Sequence, residues 1–353
     1  MDKLLNNFTL PTMQKVLQKI SAIENFNGSW LNVETYDDAP LHELKQMATV
    51  QSIGSSTRIE GSVLGDSEID VFLKDLKKTS FTTRDEEEVA GYYRTLEVIC
   101  ESYDDITLSE NNIKHLHKTL LQYAQKDQHH LGNYKKFANS VVATYPDGTA
   151  VTIFNTTSPM LTPMAMEQAI EWANKAMLKK EIHPLIVTAV FVYEFLSIHP
   201  FADGNGRLSR LLTTLLLLRQ KYYYIQYISF EHQLEKRKKE YYGALRAGQG
   251  LRGTEAENVN EWILYFLDCM EQMTITLQHK YNLLKSRGNY MNTRQLKVMQ
   301  YIKRKGQVKI NDLAAAFKTV STATLKKDVQ LLVQKMKIEQ TGKLKGTIYM
   351  PKD

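Results

Sequence analysis

One histidine, one carboxylate, one amide, two glycines and two arginines fall together in His199-Pro200-Phe201-Ala202-Asp203-Gly204-Asn205-Gly206-Arg207-Leu208-Ser209-Arg210. Of these, His199 is the side chain that takes up and releases a proton near neutral pH. Gly204-Asn205-Gly206 frees backbone N–H groups to converge on an anion, and a helix beginning there adds the positive end of its dipole. Arg207 and Arg210 stand three apart and share a face of that helix's first turn. Two arginines over an anion-binding turn suit a polyphosphate. Asp203 sits beside the cradle, where a hard cation bridging phosphates takes a carboxylate oxygen. Phe201 is expected to turn inward and anchor the loop.

Two apolar stretches must position these groups. His183 to Ile198 reads as a buried helix, and Leu211 to Leu218 as a second. Pro200, Gly204 and Gly206 mark the loop between them. Unpaired charge between two core helices is costly, so its presence there points to a use.

The run fills every fixed position of the signature His-x-Phe-x-(Asp/Glu)-Gly-Asn-Gly-Arg-x-x-Arg and resembles the Fic family through it. The resemblance implies a helical fold that transfers AMP from ATP to a protein hydroxyl. It implies His199 as the base for a target Tyr, Thr or Ser, and Asp203 as the ligand of Mg2+. Gly204, Asn205 and Gly206 would form the anion hole, and Arg207 and Arg210 would take the β- and γ-phosphates. Upstream, Ser55-Ser56-Thr57-Arg58-Ile59-Glu60-Gly61 resembles the family's inhibitory motif, (Ser/Thr)-x-x-x-Glu-(Gly/Asn), through Ser56, Glu60 and Gly61. Ser56 and Glu60 are four apart, on one helical face, and Gly61 is a natural stop. By resemblance Glu60 pairs with Arg210. Arg210 cannot hold that carboxylate and the γ-phosphate together, so ATP would lie in an unproductive pose.

The 353 residues allow two or three domains, with a net charge of +6. Residues from 290 onward hold 14 Lys and Arg against 4 Asp and Glu, a balance of +10, which leaves the rest at −4. A basic C-terminal module on a mildly acidic body limits any nucleic-acid contact to the tail. Cys100 and Cys269 have neither metal-ligand nor redox spacing. The N-terminus lacks the basic and apolar regions of a signal peptide, and no run reaches the length of a membrane span, so a cytoplasmic location without membrane contact is expected.

Helical periodicity marks residues 12–25, broken at Asn27-Gly28-Ser29, then 41–53, 66–76, 85–99 and 105–124. His115 and His117, two apart, and the adjacent His129 and His130 face different ways and do not form a metal site. Gly132-Asn133-Tyr134-Lys135 resembles an element that precedes a Fic hairpin. Beta-branched runs at 141–145 and 149–154 flank Pro146-Asp147-Gly148 and read as that hairpin. By resemblance it is a flap that holds a target segment by strand addition. Further helices are expected over 163–179, 229–245 and 259–284. Tyr241 and Tyr242, on the second of these, line the nucleotide pocket by resemblance; either could lie beside the adenine. Gly248-Gln249-Gly250 lacks the ending and the preceding strand of a phosphate loop. Helices at 293–303, 310–317 and 322–336, followed by two strands over 337–349, look like a winged helix-turn-helix. If that module meets DNA, Thr322, Thr324, Lys326 and Lys327 could face a major groove and Lys343 and Lys345 a backbone; such modules also serve for protein docking or dimerisation.

The reading is therefore mainly α: a Fic-type helical bundle with a β-hairpin flap and a small C-terminal winged-helix domain. The expected division is 1–90 (inhibitory motif), 91–285 (catalytic core) and 290–353 (winged helix). The expected function is an autoinhibited, Mg2+-dependent protein adenylyltransferase using ATP, acting on a protein with an exposed hydroxyl, the chain itself included. DNA or protein contact is assigned to 290–353, and a homodimer is among the assemblies allowed. The alternatives are a DNA-binding regulator with a nucleotide-sensing domain, or an enzyme of the same family that uses another nucleotide donor or removes AMP.

Overall fold

The computed structural model describes all residues except 6–7, 35–38, 76–80, 82, 128, 145–149, 287–290, 343–345 and 353. The chain divides into two compact units, Met1–Trp30 with Lys45–Thr276, and Leu31–Leu44 with Leu277–Asp353. This division differs from the expected boundaries: residues 1–30 and 45–90 share a unit with 91–276. The fold is mainly α, with fourteen α-helices and two two-stranded sheets among the described residues.

In chain order the helices of the first part are α1 (Leu10–Glu34), α2 (Ala39–Ile59), α3 (Asp66–Lys74), α4 (Arg84–Ser102) and α5 (Glu110–Leu120). Helix α1 runs straight through Gly28, where a break was expected. A central glycine costs about 1 kcal/mol against alanine. Packing offsets it: Trp30 is buried, stacks on Phe26 at 5.4 Å between centroids, and Phe26 meets Tyr224 edge-on at 5.3 Å. Helix α4 starts at a capping box, Thr83 Oγ1 accepting from Glu86 N–H and Glu86 Oε2 from Thr83 N–H. Helix α5 is shorter than the periodicity suggested because Ser109 caps it at Asn112 N–H.

A hairpin follows, β1 (Ser140–Thr144) antiparallel to β2 (Ala150–Asn155), with a register shift between Val141 and Val142. Its expected turn at 146–148 lies outside the described residues. Then come α6 (Thr162–Lys179), α7 (Pro184–Ile198), α8 (Asn205–Arg219), α9 (Phe230–Lys236), α10 (Lys238–Gln249) and α11 (Asn260–Ser286). The single helix expected over 229–245 is two, because Arg237 leaves helical geometry at φ −116° and ψ 35°. Helices α7 and α8 form the core: α7 is buried on every side from Val187 to Ile198, as an all-round apolar sequence requires. Trp262 of α11 reaches across to donate to the Ala189 carbonyl at 2.7 Å.

The second unit carries α12 (Thr293–Lys305), α13 (Ile310–Ala316), α14 (Thr322–Gln334) and the hairpin β3 (Ile338–Thr341) and β4 (Ile348–Pro351). Val298, Ile302, Leu313, Leu325, Val329 and Leu332 make its core. Ser321 caps α14 at Thr324 N–H. Thr322, Lys326 and Lys327 are exposed on that helix and Thr324 is half-buried. Lys343 and Lys345 lie outside the described residues.

Candidate active site

The chemistry-bearing loop joins α7 to α8. His199 ends α7 in the left-handed region at φ 52°, a conformation that costs a non-glycine residue about 1–3 kcal/mol and collects at functional sites. Phe201 is buried, as expected, and the ring of His117 stacks on it at 3.8 Å and 8°. Gly204 opens α8 at φ 78°, a backbone that only glycine adopts without strain. Asn205 closes the loop: its Oδ1 accepts from Phe201 N–H at 2.9 Å and its Nδ2 donates to the Phe201 carbonyl at 2.8 Å.

Glu60 sits just past the end of α2. Arg210, buried on α8, donates to Glu60 Oε1 at 2.7 Å, to Ser56 Oγ at 2.8 Å and to the Ser56 carbonyl at 3.0 Å. Burial disfavours the Arg210 cation, but Glu60, Tyr241 and Tyr92 more than offset this and hold its pKa up. A methyl group on Gly206 would lie 2.3 Å from Glu60 Oε1, so glycine there lets the carboxylate approach the first turn of α8. That is the end of a helix where an anion is favoured. Tyr92, whose charge also bears on Arg210, donates to the buried Glu231 at 2.9 Å.

His199, Glu60, Gly206, Arg210, Tyr241 and Tyr242 line one cavity of about 120 Å³. Tyr241 is buried and Tyr242 lies at its rim. Burial and the positive Lys135 lower His199 to about 4, so its ring is neutral. Asp203 and Arg207 line a different cavity of about 400 Å³, with Arg84 and Glu88. Arg207 is buried between Asp203 at 2.9 Å and Glu88 at 3.3 Å. The structure therefore gathers His199, Glu60 and Arg210 at one cavity and sets Asp203 with Arg207 at another.

Among the described residues no three His, Cys, Asp or Glu side chains cluster as a metal-ligand set. Asp203, half-exposed, offers one carboxylate, which fits a metal whose other ligands are phosphate oxygens and water. Cys100 and Cys269 are free thiols. No described helix is long and apolar enough to cross a membrane.

Three residues at the site carried no signal beyond their neighbourhood. His117 accepts from Gly132 N–H at Nδ1 (3.0 Å), so its Nε2–H donates to the Asp203 carbonyl at 3.1 Å. Burial lowers it to about 4. Lys135 and Asn139 connect the hairpin base to His199. Lys135 is legible only as the end of the Gly-Asn-Tyr-Lys element, and Asn139 not at all.

Residues 107–217 match the Fic/DOC family, and residues 294–342 match the DeoR-like helix-turn-helix domain. The chain carries a Fic/DOC domain. Its curated relatives include proteins named protein adenylyltransferase Fic from Drosophila sechellia and Drosophila melanogaster. Each is 26% identical over 220 residues, covering 62% of this chain and 40% of the relative. The chain thus spans under half the length of those relatives. In fold, the Fic/DOC domain and its surroundings resemble a Fic family protein from Desulfovibrio desulfuricans G20, at TM-score 0.63 and 19% identity over 98% of this chain and 97% of that one. They also resemble Fic-1 from C. elegans, at TM-score 0.58 and 18% identity over 78% and 73%.

Proposed function

We propose that this chain is a protein adenylyltransferase that uses ATP and Mg2+ and is held inactive by Glu60. The observation that carries the reading is the seat of Glu60, bonded to Arg210 beside Gly206 and sharing a cavity with His199. A carboxylate there stands where the terminal phosphate of ATP would stand, on the same arginine and near the same helix end. The remaining space supports this: about 120 Å³ is less than the roughly 300–1,000 Å³ of a typical ligand pocket.

In the reaction the target hydroxyl oxygen attacks the α-phosphorus of ATP. The bond from that phosphorus to the bridging oxygen breaks, pyrophosphate leaves, and His199 takes the hydroxyl proton. Arg210, freed of Glu60, binds the γ-phosphate. The N–H groups around Gly204, Asn205 and Gly206 bind the neighbouring phosphates. Arg207 holds Asp203 in place and adds charge toward the β-phosphate. Mg2+, held by Asp203 together with phosphate oxygens, would neutralise charge on the leaving pyrophosphate. Tyr241 and Tyr242 form the wall against which the nucleoside packs. The β1–β2 hairpin presents the target by main-chain pairing.

The test is transfer of label from α-labelled ATP to protein. Glu60→Gly should raise labelling roughly tenfold or more, a shift of about 1.4 kcal/mol or greater in favour of the open site. Adding His199→Ala should then cut the rate about 10²–10⁴-fold. Equal labelling of the parent and Glu60→Gly would discard the switch; undiminished transfer without His199 would discard the mechanism.

The match to a DeoR-like helix-turn-helix supports a second reading, a DNA-binding regulator in which the Fic/DOC domain senses nucleotide. Retention of salt-dependent DNA binding after removal of 291–353 would remove its basis.

A further inference from the structure

His199 is gripped at one nitrogen by two asparagines. Asn139 Nδ2 lies 3.0 Å and Asn205 Nδ2 3.2 Å from His199 Nδ1. The orientation of each amide follows from its other partners. Asn139 Nδ2 also donates to the Phe201 carbonyl at 3.0 Å, while its Oδ1 accepts from Lys135 Nζ at 2.8 Å and from the Thr156 hydroxyl. Turning this amide would set oxygen against a carbonyl and NH2 against an ammonium. Asn205 is fixed by Phe201 on both sides. An amide nitrogen donates and does not accept. His199 Nδ1 is therefore an acceptor, and the neutral ring carries its hydrogen on Nε2.

We propose that Lys135, Asn139 and Thr156 are positioning residues that set the tautomer of His199 and keep it from acting as a base until the foot of the β1–β2 hairpin rearranges. The inference rests on the adenylyl-transfer reading, in which His199 must accept a proton. With Nδ1 engaged by two amide N–H groups and a hydrogen on Nε2, the ring has no free lone pair. Release means that the Asn139 amide turns, bringing Oδ1 to Nδ1, and that the ring shifts off Asn205 Nδ2, whose fixed N–H would otherwise oppose a hydrogen on Nδ1. The ring then takes a proton at Nδ1, releases the one on Nε2 to solvent, and exposes a lone pair at Nε2. No net proton is gained or lost.

The bonds that resist this turn are the ones that close the hairpin. Asn139 immediately precedes β1 and Thr156 immediately follows β2. Lys135 ties both to the end of α7, donating to Thr156 Oγ1 at 2.8 Å and to the Ile198 carbonyl at 3.0 Å. Its Nζ is held by oxygens alone, and burial lowers it only to about 8, so it stays mostly charged at neutral pH. A target strand that pairs with the hairpin would pull on these same ends. Main-chain docking and readiness of the base are thereby coupled, at a place separate from the Glu60–Arg210 contact.

The test reads the ring directly. The full chain is prepared with ring-labelled nitrogen-15 histidine, and long-range proton–nitrogen spectra are recorded at neutral pH. The signal of His199, among nine histidines, is assigned by its loss in His199→Ala. The expected parent spectrum has an N–H-type Nε2 and an unprotonated Nδ1. Asn139→Asp puts an acceptor at Nδ1 and should move the hydrogen there. Thr156→Val removes one restraint on Oδ1 without changing charge and should populate both tautomers. A parent ring already protonated at Nδ1, or spectra unchanged in both variants, overturns the proposal. In the Glu60→Gly background Asn139→Asp should raise kcat severalfold with the KM for ATP unchanged. Absence of transfer in every variant counts against the adenylyltransferase reading, while the spectra still decide the tautomer.

Discussion

At neutral pH His199 is an uncharged imidazole, and the reason is local. Burial disfavours the imidazolium, and the Lys135 ammonium adds repulsion; together they outweigh Glu60 and Asp203 and lower the ring from 6.5 to about 4. A base must be unprotonated to act, so its activity is lost as pH falls through the folded value. In Glu60→Gly the kcat/KM for transfer should therefore stay level from about pH 8 down to about pH 5.5, where an ordinary histidine would already be mostly charged. A fall by half near pH 6.5 would refute the assignment. Lys135→Met removes the repelling charge and should move this acid limb upward. The same residue scale explains why Gly206 has no substitute while Glu60 is seated. Any side chain there meets the carboxylate at less than contact distance.

Helix α2 delivers Ser56 and Glu60, and its end is tied to α9 and α10. Arg58 donates to Glu235 at 2.6 and 2.9 Å and to the Leu64 carbonyl at 3.0 Å, and Lys238 donates to the Ile59 carbonyl at 2.8 Å. The Arg58–Glu235 pair is partly exposed, so its worth is about 1 kcal/mol at most. Glu235→Ala should accordingly raise basal labelling by no more than about fivefold, well short of Glu60→Gly. An equal effect would mean that the Arg58–Glu235 pair, and not Glu60, sets the basal labelling. A second element-scale constraint lies between α4 and α5. A methyl group on Gly91 would lie 2.0 Å from the Leu120 carbonyl oxygen. Gly91→Ala must force the helices apart and should cost about 1–3 kcal/mol, seen as a lower urea midpoint. An unchanged midpoint would show that the two helices part without penalty.

On the scale of the whole molecule, charge is divided between the ends of the chain. The +10 balance from residue 290 onward rides on a helix-turn-helix whose α14 exposes Thr322, Lys326 and Lys327. If this unit meets DNA through its basic side chains, binding should weaken steeply with salt because counterions are released. Removing 291–353 should abolish DNA binding and leave label transfer by Glu60→Gly in place. Binding that survives the truncation, or that ignores salt, would assign it elsewhere. Loss of labelling on truncation would show that transfer needs residues 291–353.

The sequence by itself determined the mainly helical class, the α7–loop–α8 frame and the winged helix-turn-helix. Those rest on local periodicity, caps and turn residues, which act within a few positions. It also singled out His199 and Arg210 by their charge and spacing inside an apolar frame, and Glu60 only through the resemblance of 55–61 to an inhibitory motif. Tertiary structure decided what spacing cannot reach. It carried α1 through Gly28, where burial of Trp30 outweighs propensity. It split 229–245 at Arg237, and it set Asp203 and Arg207 at a different cavity from Arg210. His117, Lys135 and Asn139 became part of the site only through contacts made 60 to 86 residues away. Hydrogen bonds between such distant residues leave no period in a sequence, and here they fix which nitrogen of His199 holds the proton.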